Sequence, residues 1–341
     1  MKRILIAVVS LVVALGATAC GESNDGGPPS KVIIAAGGSQ AVAPWAAHLA
    51  ARGQHFFEDV EKKFNVDIEF LDMDTGSTIP SLTSGTVDFL IAGVPAFATA
   101  RSQGMEVVAI TEVASGQNMA LVGSAKHKED FGTDLRAFAD SAWGYTAPGS
   151  TSAIIASEAA TAAGLDFANL NTVAFGKLSA AIPGLESNRL DIVSVDVGTA
   201  GVAISDGAGY LIYNANTDMK ERTIGTALMS TSAFIEKNPE LTQSIVDVYL
   251  RGMGLVQRNI DDASAVLASF PADYQKLMSK GFDQAWKLTA PGLGGDGRFT
   301  DSAIESTVGY LSGKDYFDIS AGDEVKAGFD NRFVQASQVQ K

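Results

Sequence analysis

Apolar and polar residues follow one another along the chain as a succession of short strands and helices. Apolar runs at Lys31–Ala36 and Val87–Ala92 each end at a glycine, which is typical of a buried strand followed by a turn. Alternating residues at Val66–Leu71 and apolar residues at Val107–Ile110 and Met119–Val122 predict further strands. Strands that alternate with helical segments indicate an α/β protein whose parallel sheets are covered by helices.

The second half of the chain repeats this plan. We expect strands at Ala142–Thr146, Thr172–Phe175, Ile192–Val195 and Tyr210–Tyr213. One pattern, Pro-x-Leu-x-Ser-x-x-(Val/Leu)-Asp followed by an apolar run, occurs twice and ends at Asp88 and at Asp191. A unit that appears twice at so long a spacing predicts two similar lobes rather than an array of repeats. Two lobes form a cleft, and clefts of this kind bind small molecules.

The last third of the chain is predicted to be helical. Asn238 is suited to cap a helix, and Pro239 fits its first turn. Shorter helices are expected around Asp261–Phe270, Tyr274–Lys287 and Asp301–Leu311. We expect this region to pack on the first lobe. Residues 31–121 and 214–341 would then form lobe 1 and residues 122–213 lobe 2, with the chain crossing near Leu121-Val122 and Tyr210–Tyr213.

The N-terminus has the pattern of a secretory signal. Basic residues at Lys2 and Arg3 precede an apolar run and small residues that lead to Cys20. Residues 1–19 are therefore predicted to be a signal peptide, and Cys20 is predicted to carry a lipid, because this segment resembles a bacterial lipobox. An ordinary signal peptide with an incidental cysteine is the alternative. Residues 20–30, rich in Gly and Pro, would tether an extracytoplasmic domain to the bacterial cell membrane.

Charge and composition exclude several classes of function. The formal net charge is −14, which disfavours nucleic acid as a partner. With a single cysteine, the chain has no internal disulfide, and its three histidines lack the spacing of a zinc site. Nucleophile-elbow, calcium-loop and Walker motifs are absent from the sequence. We therefore expect no metal, no cofactor and no enzymatic activity.

Several segments together resemble one family. In chain order they are the Gly37-Gly-Ser-Gln40 loop, Phe56-Phe-Glu-Asp59 before a Val-x-Ile-x-Phe strand, Gly76-Ser-Thr78 before Leu-x-Ser-Gly-x-Val-Asp88, Gly93-Val-Pro95, Tyr145-Thr-Ala-Pro-Gly-Ser-Thr-Ser152 and Phe234-Ile-Glu-Lys-Asn-Pro-Glu240. They are similar to solute-binding proteins of ABC importers in the nitrate, sulfonate, taurine and thiamine-precursor (NMT1/THI5-like) group. The resemblance implies the two-lobed type II periplasmic-binding-protein fold, in which each lobe is a mostly parallel sheet flanked by helices. It also implies a monomer that delivers its ligand to a permease with a separate ATPase.

Ligands of such sheets lie outside the carboxyl ends of the strands, where loops enter helices. Helix N-termini offer unpaired N–H groups there, and hydroxyl side chains can join them in binding an anion. For each hydroxyl, helix capping is the alternative role. The candidate residues in these loops are Ser39, Gln40, Ser77, Thr78, Gly93, Val94, Ser150, Thr151 and Ser152.

Three further residues are candidates with a named alternative. Trp45 would form an aromatic wall for the ligand or pack against the sheet. Lys177 would pair with a carboxylate or sulfonate or remain a solvated surface lysine. Asp196 would accept a donor from the ligand or from the other lobe, or cap the turn at Gly198-Thr199.

These residues favour a small organic anion, such as a sulfonate, a nitrate-like ion or an aromatic carboxylate. The rival ligand is a thiamine-precursor pyrimidine or another neutral heterocycle, for which Trp45 and Asp196 would matter more than Lys177. A ligand sensor of the same fold, and an enzyme of the same fold, are the remaining alternatives.

Overall fold

The computed structural model describes residues 29–37, 43–73, 77–148, 150–220, 222–293, 295–314 and 317–339. The predicted signal peptide, the lipidation site Cys20, the tether up to residue 28, and the candidates Ser39 and Gln40 therefore lie outside the described residues. No helix of the described ranges is both long enough and apolar enough to cross a membrane.

Two five-stranded sheets form the framework. The strands are β1 (Lys31–Gly37), β2 (Asp67–Met73), β3 (Phe89–Gly93), β4 (Val107–Ser115), β5 (Met119–Ser124), β6 (Ala142–Tyr145), β7 (Asn171–Ala174), β8 (Ile192–Asp196), β9 (Gly209–Asn214) and β10 (Ile224–Thr231). The first sheet has the order β2-β1-β3-β10-β4, and the second has the order β7-β6-β8-β5-β9. In each sheet one strand, β10 or β5, runs antiparallel to both of its neighbours, so the other four are parallel. The predicted pair of mostly parallel sheets is confirmed.

Helices cover both sheets. They are α1 (Ala46–Gly53), α2 (Glu58–Phe64), α3 (Thr78–Thr83), α4 (Val94–Ser102), α5 (Lys128–Phe131), α6 (Thr151–Ala162), α7 (Ala181–Glu186), α8 (Val197–Ser205), α9 (Ala215–Asp218), α10 (Ser232–Lys237), α11 (Pro239–Arg258), α12 (Ala263–Ala268), α13 (Ala272–Met278), α14 (Phe282–Thr289), α15 (Asp301–Ser312), α16 (Gly322–Lys326) and α17 (Arg332–Ala336). Short 3₁₀ turns lie between them, among them Ala43–Trp45 and Leu178–Ala180.

The repeated sequence pattern corresponds to a repeated structure. The unit α3–β3–α4 occupies in the first sheet the place that α7–β8–α8 occupies in the second. The turn before each strand has a residue in the left-handed region at the same position, Gly85 with φ +74° and Asn188 with φ +58°. Because glycine and asparagine adopt this conformation most readily, the two turns close in the same way.

Strand β10 was not expected from the sequence. It lies between β3 and β4 in the first sheet, and Ala227, Leu228 and Met229 are fully buried. Its apolar residues are interrupted by Gly225, Thr226 and Ser230, so no apolar run or alternation marks the segment as a strand. The segment becomes a strand because it pairs with β3 and β4, which lie far earlier in the chain.

The chain passes between the sheets at two places. All of β5 pairs within the second sheet, so the predicted boundary between Leu121 and Val122 cuts through a strand. The first crossing lies instead at residues 116–118, between β4 and β5. The second lies between β9 and β10, after the segment Tyr210–Tyr213 rather than within it.

The C-terminal helices pack chiefly on the first sheet. Leu241, Ile245 and Val248 of α11 share one hydrophobic cluster with Val32 and Ile34 of β1. Helix α14 touches both lobes. Its Phe282 and Trp286 belong to that same cluster, whereas its Leu288 belongs to a cluster of the second lobe.

Candidate ligand-binding site

The site residues were predicted at the carboxyl ends of the parallel strands. Three of these strand ends, those of β3, β6 and β8, are each followed by the N-terminus of a helix. Strand β3 is buried until its last residue, Gly93, which is exposed and begins α4 without a side-chain cap. Val94, the next residue, has its side chain fully buried in the first lobe. Only the backbone of Val94 is therefore available to a ligand, while Gly93 leaves its backbone open to close approach.

The start of α6 brings several hydroxyl groups together. Ser150 caps the helix by accepting a hydrogen bond from Ala153 N at 3.3 Å. Its Oγ lies 2.8 Å from Ser152 Oγ, which in turn lies 2.7 Å from Thr146 Oγ1. Ser152 also accepts the backbone N–H of Thr146 at 2.9 Å and is 3% exposed. Thr151, between the two serines, is half-buried at the first position of the helix.

Thr146 belongs to this cluster, but it was not a predicted site residue. The apolar pattern predicts Thr146 only as the last residue of a strand. Its position between the end of β6 and the start of α6 was the available signal, because residues between a strand end and a helix start face the ligand edge of the sheet.

Lys177 lies beside the start of α6. Strands β6 and β7 are parallel neighbours, and their exits stay joined because Phe175 N donates to Tyr145 O and Gly176 N donates to Thr146 O, both at 2.9 Å. Lys177 follows directly, exposed, at the beginning of the 3₁₀ turn Leu178–Ala180. The backbone of Lys177 therefore leaves the second sheet at the same end as the hydroxyl cluster and the N-terminus of α6.

Asp196 fulfils the capping role that was its predicted alternative. Its Oδ1 accepts the backbone N–H groups of Gly198 at 2.9 Å and Thr199 at 3.0 Å. Its Oδ2 accepts the Thr199 hydroxyl at 2.6 Å. The carboxylate thus occupies the positive end of α8, the place where an external anion would otherwise bind.

Trp45 is a core residue. It is 7% exposed and belongs to the large hydrophobic cluster of the first lobe, so the structure favours its packing role over an aromatic wall. Of the two remaining candidates on the first lobe, Ser77 is exposed at the start of α3, whereas Thr78 is 1% exposed.

A cavity of about 330 Å³ lies between the second lobe and the helices α13 and α14. Asp196 and Thr199 form part of one wall, and Met278 and Phe282 form part of the other. Helices α8 and α14 pack with their backbones in contact, since a Cβ at Gly201 would lie 2.5 Å from the amide nitrogen of Ala285.

Two ion pairs join helices of the second lobe to the C-terminal region of the chain. Lys280, between α13 and α14, contacts Asp206 at the end of α8 at 2.8 Å. Lys314, which follows α15, contacts Glu158 of α6. These pairs are partly exposed, so each contributes only modestly to stability.

Among the described residues, no group of three or more histidine, cysteine, aspartate or glutamate side chains is arranged to hold a metal ion.

Comparison with solved structures identifies the fold. The chain is similar to the alkanesulfonate-binding protein SsuA from Xanthomonas axonopodis pv. citri bound to MOPS, with 11% identity, a TM-score of 0.65, and coverage of 89% of this chain and 99% of that one. It is similar to the periplasmic nitrate-binding protein NrtA from Synechocystis PCC 6803, with 13% identity, a TM-score of 0.66, and coverage of 91% and 89%. It is also similar to the ligand-binding component of an ABC-type import system from Staphylococcus aureus with zinc bound, with 13% identity, a TM-score of 0.68, and coverage of 91% and 100%. The predicted type II periplasmic-binding-protein fold is confirmed.

A curated relative gives a shorter match. The arginine-binding extracellular protein ArtP of Bacillus subtilis is 30% identical over 98 residues, which are 28% of this chain and 38% of that protein. The chain thus matches well under two thirds of this relative's length.

A family model matches most of the domain. The NMT1/THI5-like model covers residues 45–263, which include strands β2 to β10 and extend to the start of α12. The chain belongs to the NMT1/THI5-like family and has the fold of the extracytoplasmic solute-binding proteins of ABC importers.

Proposed function

We propose that the protein is a lipid-anchored solute-binding protein that captures a small organic anion between its lobes and delivers it to an ABC permease with a separate ATPase. Ligand entry into the open cleft would shift the protein towards a closed form by hinge motion at the two crossings between the sheets. The closed form would dock on the permease.

One observation carries the choice of an anion. The hydroxyls of Thr146, Ser150 and Ser152, the N-terminus of the twelve-residue helix α6 and the exposed Lys177 lie together at one edge of the second sheet. Hydroxyl donors and a helix N-terminus stabilise negative charge, and a nearby ammonium group adds a charge-assisted hydrogen bond. Sulfonates and carboxylates present acceptor oxygens to the N–H groups of the helix start and to the lysine, whereas the Ser150 hydroxyl, which donates to Ala147 O at 2.6 Å, would have to turn towards the ligand.

The alternative ligand, a neutral heterocycle, would rely on Trp45 and Asp196, and both side chains have other contacts in the structure. Trp45 is packed in the core, and the Asp196 carboxylate already accepts three hydrogen bonds from α8. Neither is positioned as the flat wall or the free acceptor that a pyrimidine would need. The anion is therefore the better-supported ligand.

Thermal unfolding against a panel of small molecules tests the proposal. The panel contains alkyl and aryl sulfonates, nitrate, aromatic carboxylates, pyrimidines and arginine, the last because of the relative in Bacillus subtilis. A ligand at a hundred times its Kd adds about 2.7 kcal/mol, which raises Tm by several degrees for a chain of this size. We expect organic anions alone to raise Tm, and a rise with pyrimidines or arginine alone would overturn the anion assignment.

Two lysine variants make the test specific to the site. Lys177→Ala should reduce the shift produced by the best anion. Lys128→Ala is the matched control, because Lys128 is equally exposed but follows β5 at the opposite edge of the same sheet. An equal effect of both variants would mean that the anion responds to general charge and not to this site.

The lipid anchor has its own test. In cells that process lipoproteins, wild-type protein should incorporate labelled fatty acid and fractionate with membranes. Cys20→Ala should lose the label, and label retained by this variant would contradict acylation at Cys20. A sensor role in place of transport predicts capture of a receptor instead of a permease by the ligand-bound protein.

A further inference from the structure

Three segments of the chain meet at the side chain of Asn216, which lies in α9, within the second crossing between the sheets. Its Oδ1 accepts the backbone N–H of Asn118, in the first crossing, at 3.2 Å. Its Nδ2 donates to Asn118 Oδ1 at 3.2 Å and to the carbonyl of Leu288, in α14, at 3.0 Å. Because an amide NH2 group has two hydrogens, both of its donors are used. One half-buried amide therefore joins the two crossings and α14.

The two crossings are also joined on the side of the first lobe. Gly116 N donates to Thr223 O at 2.9 Å, and Gln117 Nε2 donates to Thr223 Oγ1 at 2.8 Å. Thr223 comes directly before β10 of the first sheet, whereas Asn216 follows β9 of the second sheet. The crossings are therefore tied together beside the first lobe by Thr223 and beside the second lobe by Asn216.

The bond to α14 ties the second lobe to the first, because α14 is also packed in the first lobe. Phe282 and Trp286 of this helix belong to the large hydrophobic cluster of the first lobe. Towards the other end of the helix, Leu288 O accepts Nδ2 of Asn216 at 3.0 Å and Nδ2 of Asn214 at 3.1 Å. A helix packed in the first lobe is thus held by two amides where the chain leaves the second sheet.

Two glycines leave room for the Asn216 amide. A Cβ at Gly116 would overlap Asn216 Oδ1, and a Cβ at Gly292 would lie 2.7 Å from both Cγ and Oδ1 of Asn216. Gly116 belongs to the first crossing and Gly292 to the turn that follows α14, which are the segments that the amide joins. Close packing from both sides limits the positions that this side chain can take.

We propose that Asn216 is a positioning residue of the hinge, whose amide limits how far the lobes swing apart in the protein without ligand. A narrower range of open forms lowers the conformational cost of closing on a ligand. The inference goes beyond the proposed function, since it concerns the free protein and does not depend on which ligand closes the cleft.

Pulsed electron spin resonance on the free protein tests the proposal. Spin labels at Thr83→Cys and Glu186→Cys, in a Cys20→Ser background, report the distance between the lobes, because both positions are exposed and lie in different lobes. Asn216→Ala removes all three hydrogen bonds of the amide and should widen the distribution of this distance. Asn216→Asp keeps the size of the side chain and the acceptor for Asn118 N, and should also widen it because both donated bonds are lost.

Asn259→Ala is the matched control for a lost amide. The Asn259 side chain is also half-buried, and its Nδ2 donates to Leu255 O at 2.9 Å at the end of α11. A variant that only softens the fold would affect the distance between the lobes no more than this control does.

Gly292→Ala reaches the Asn216 amide without removing it. The three atoms nearest to the added Cβ all belong to that amide, so the variant should displace it, widen the distribution and lower the urea midpoint of unfolding. In the Asn216→Ala background these atoms are gone, and Gly292→Ala should then lower the midpoint no further.

The outcomes separate this inference from the proposed function. A distribution as narrow in Asn216→Ala, Asn216→Asp and Gly292→Ala as in the wild type would overturn the inference and leave the anion proposal standing. Equal widening in Asn259→Ala would also overturn it, because the lobes would then respond to any lost hydrogen bond. Since these measurements contain no ligand, a failure of the anion proposal would leave their result unchanged.

Discussion

Asp88 and Asp191 occupy the same position in the two repeated units and make the same backbone contacts. Asp88 Oδ2 accepts Ile33 N at 2.8 Å in the first sheet, and Asp191 Oδ2 accepts Ala142 N at 2.8 Å in the second. Each aspartate also donates its own N–H, at 2.9 Å, to the carbonyl of that same neighbouring residue. The shared sequence pattern therefore encodes a way of joining a strand to its parallel neighbour.

The electrostatic surroundings of the two carboxylates differ. Burial raises the pKa of Asp88, and the hydrogen bond from Ile33 opposes this only in part. Burial would also raise the pKa of Asp191, but hydrogen bonds from Lys126, Ala142 N and His127 and the charge of Lys126 outweigh it and lower that pKa to about 2. The repeat thus preserves the backbone contact of the aspartate, while the surrounding residues of each lobe determine whether its pKa is raised or lowered.

The helix starts diverge in the same manner. Gly93 begins α4 with no side-chain cap, whereas Asp196 caps α8 with three hydrogen bonds. Further along, Ala98 of α4 corresponds to Gly201 of α8, because α14 lies directly against α8 in the second lobe. The second unit has been adapted to a contact between the lobes that the first unit does not make.

Gly201→Ala gives the second unit the residue of the first and should have the largest effect. The new Cβ would lie within 2.7 Å of three atoms of Ala285, so α8 and α14 must separate. We expect a loss of about 3 kcal/mol in the free energy of unfolding, measured with urea.

Gly309→Ala is the control for this prediction. Gly309 lies in α15 with open space around it, so alanine should stabilise the protein by about 1 kcal/mol through helix propensity alone. Equal effects of the two variants would show that the contact of Gly201 with α14 carries no weight.

Asp191→Asn should cost about 2 kcal/mol at neutral pH, because it removes the charge that Lys126 and His127 stabilise. The pKa of Asp191 is depressed in the folded state from its ordinary value of 3.8 to about 2. Its contribution is therefore complete above about pH 4 and is lost as the pH falls towards 2. Urea unfolding as a function of pH should show this slope in the wild type and a weaker slope in the variant.

Asp88→Asn should change stability by less than about 1 kcal/mol at neutral pH, since the amide oxygen can still accept the Ile33 N–H. The pKa of Asp88 is raised above 3.8, so its protonated form is favoured by folding. The contribution of Asp88 therefore becomes more favourable as the pH falls through its folded pKa, opposite in sign to that of Asp191. A loss at neutral pH as large as that of Asp191→Asn would contradict the comparison.

The sequence predicted the repeated unit well because both copies carry their information locally. An apolar strand, an aspartate before it and a turn residue suited to positive φ lie within a few positions of one another. Strand β10 was not predicted, because its extended conformation depends on pairing with β3 and β4, which lie far away in the chain. The place of Thr146 in the candidate site also depends on tertiary structure. Its hydroxyl joins the site only because the fold brings it into contact with Ser150 and Ser152 and brings the end of β7 beside it.

A distance measurement between the lobes tests most directly whether they close on an organic anion. Thr83 and Glu186 are exposed, end the equivalent helices α3 and α7, and lie in different lobes. Cys20 is the single cysteine of the chain, so a Cys20→Ser background allows spin labels at Thr83→Cys and Glu186→Cys alone. A control pair at Glu129→Cys and Glu186→Cys stays within the second lobe.

Pulsed electron spin resonance would record both distances with and without the anion that raises Tm most. A saturating anion should shorten the distance between the lobes or narrow its distribution, and should leave the control distance unchanged. Saturation of the protein with no change between the lobes would contradict binding in a closing cleft.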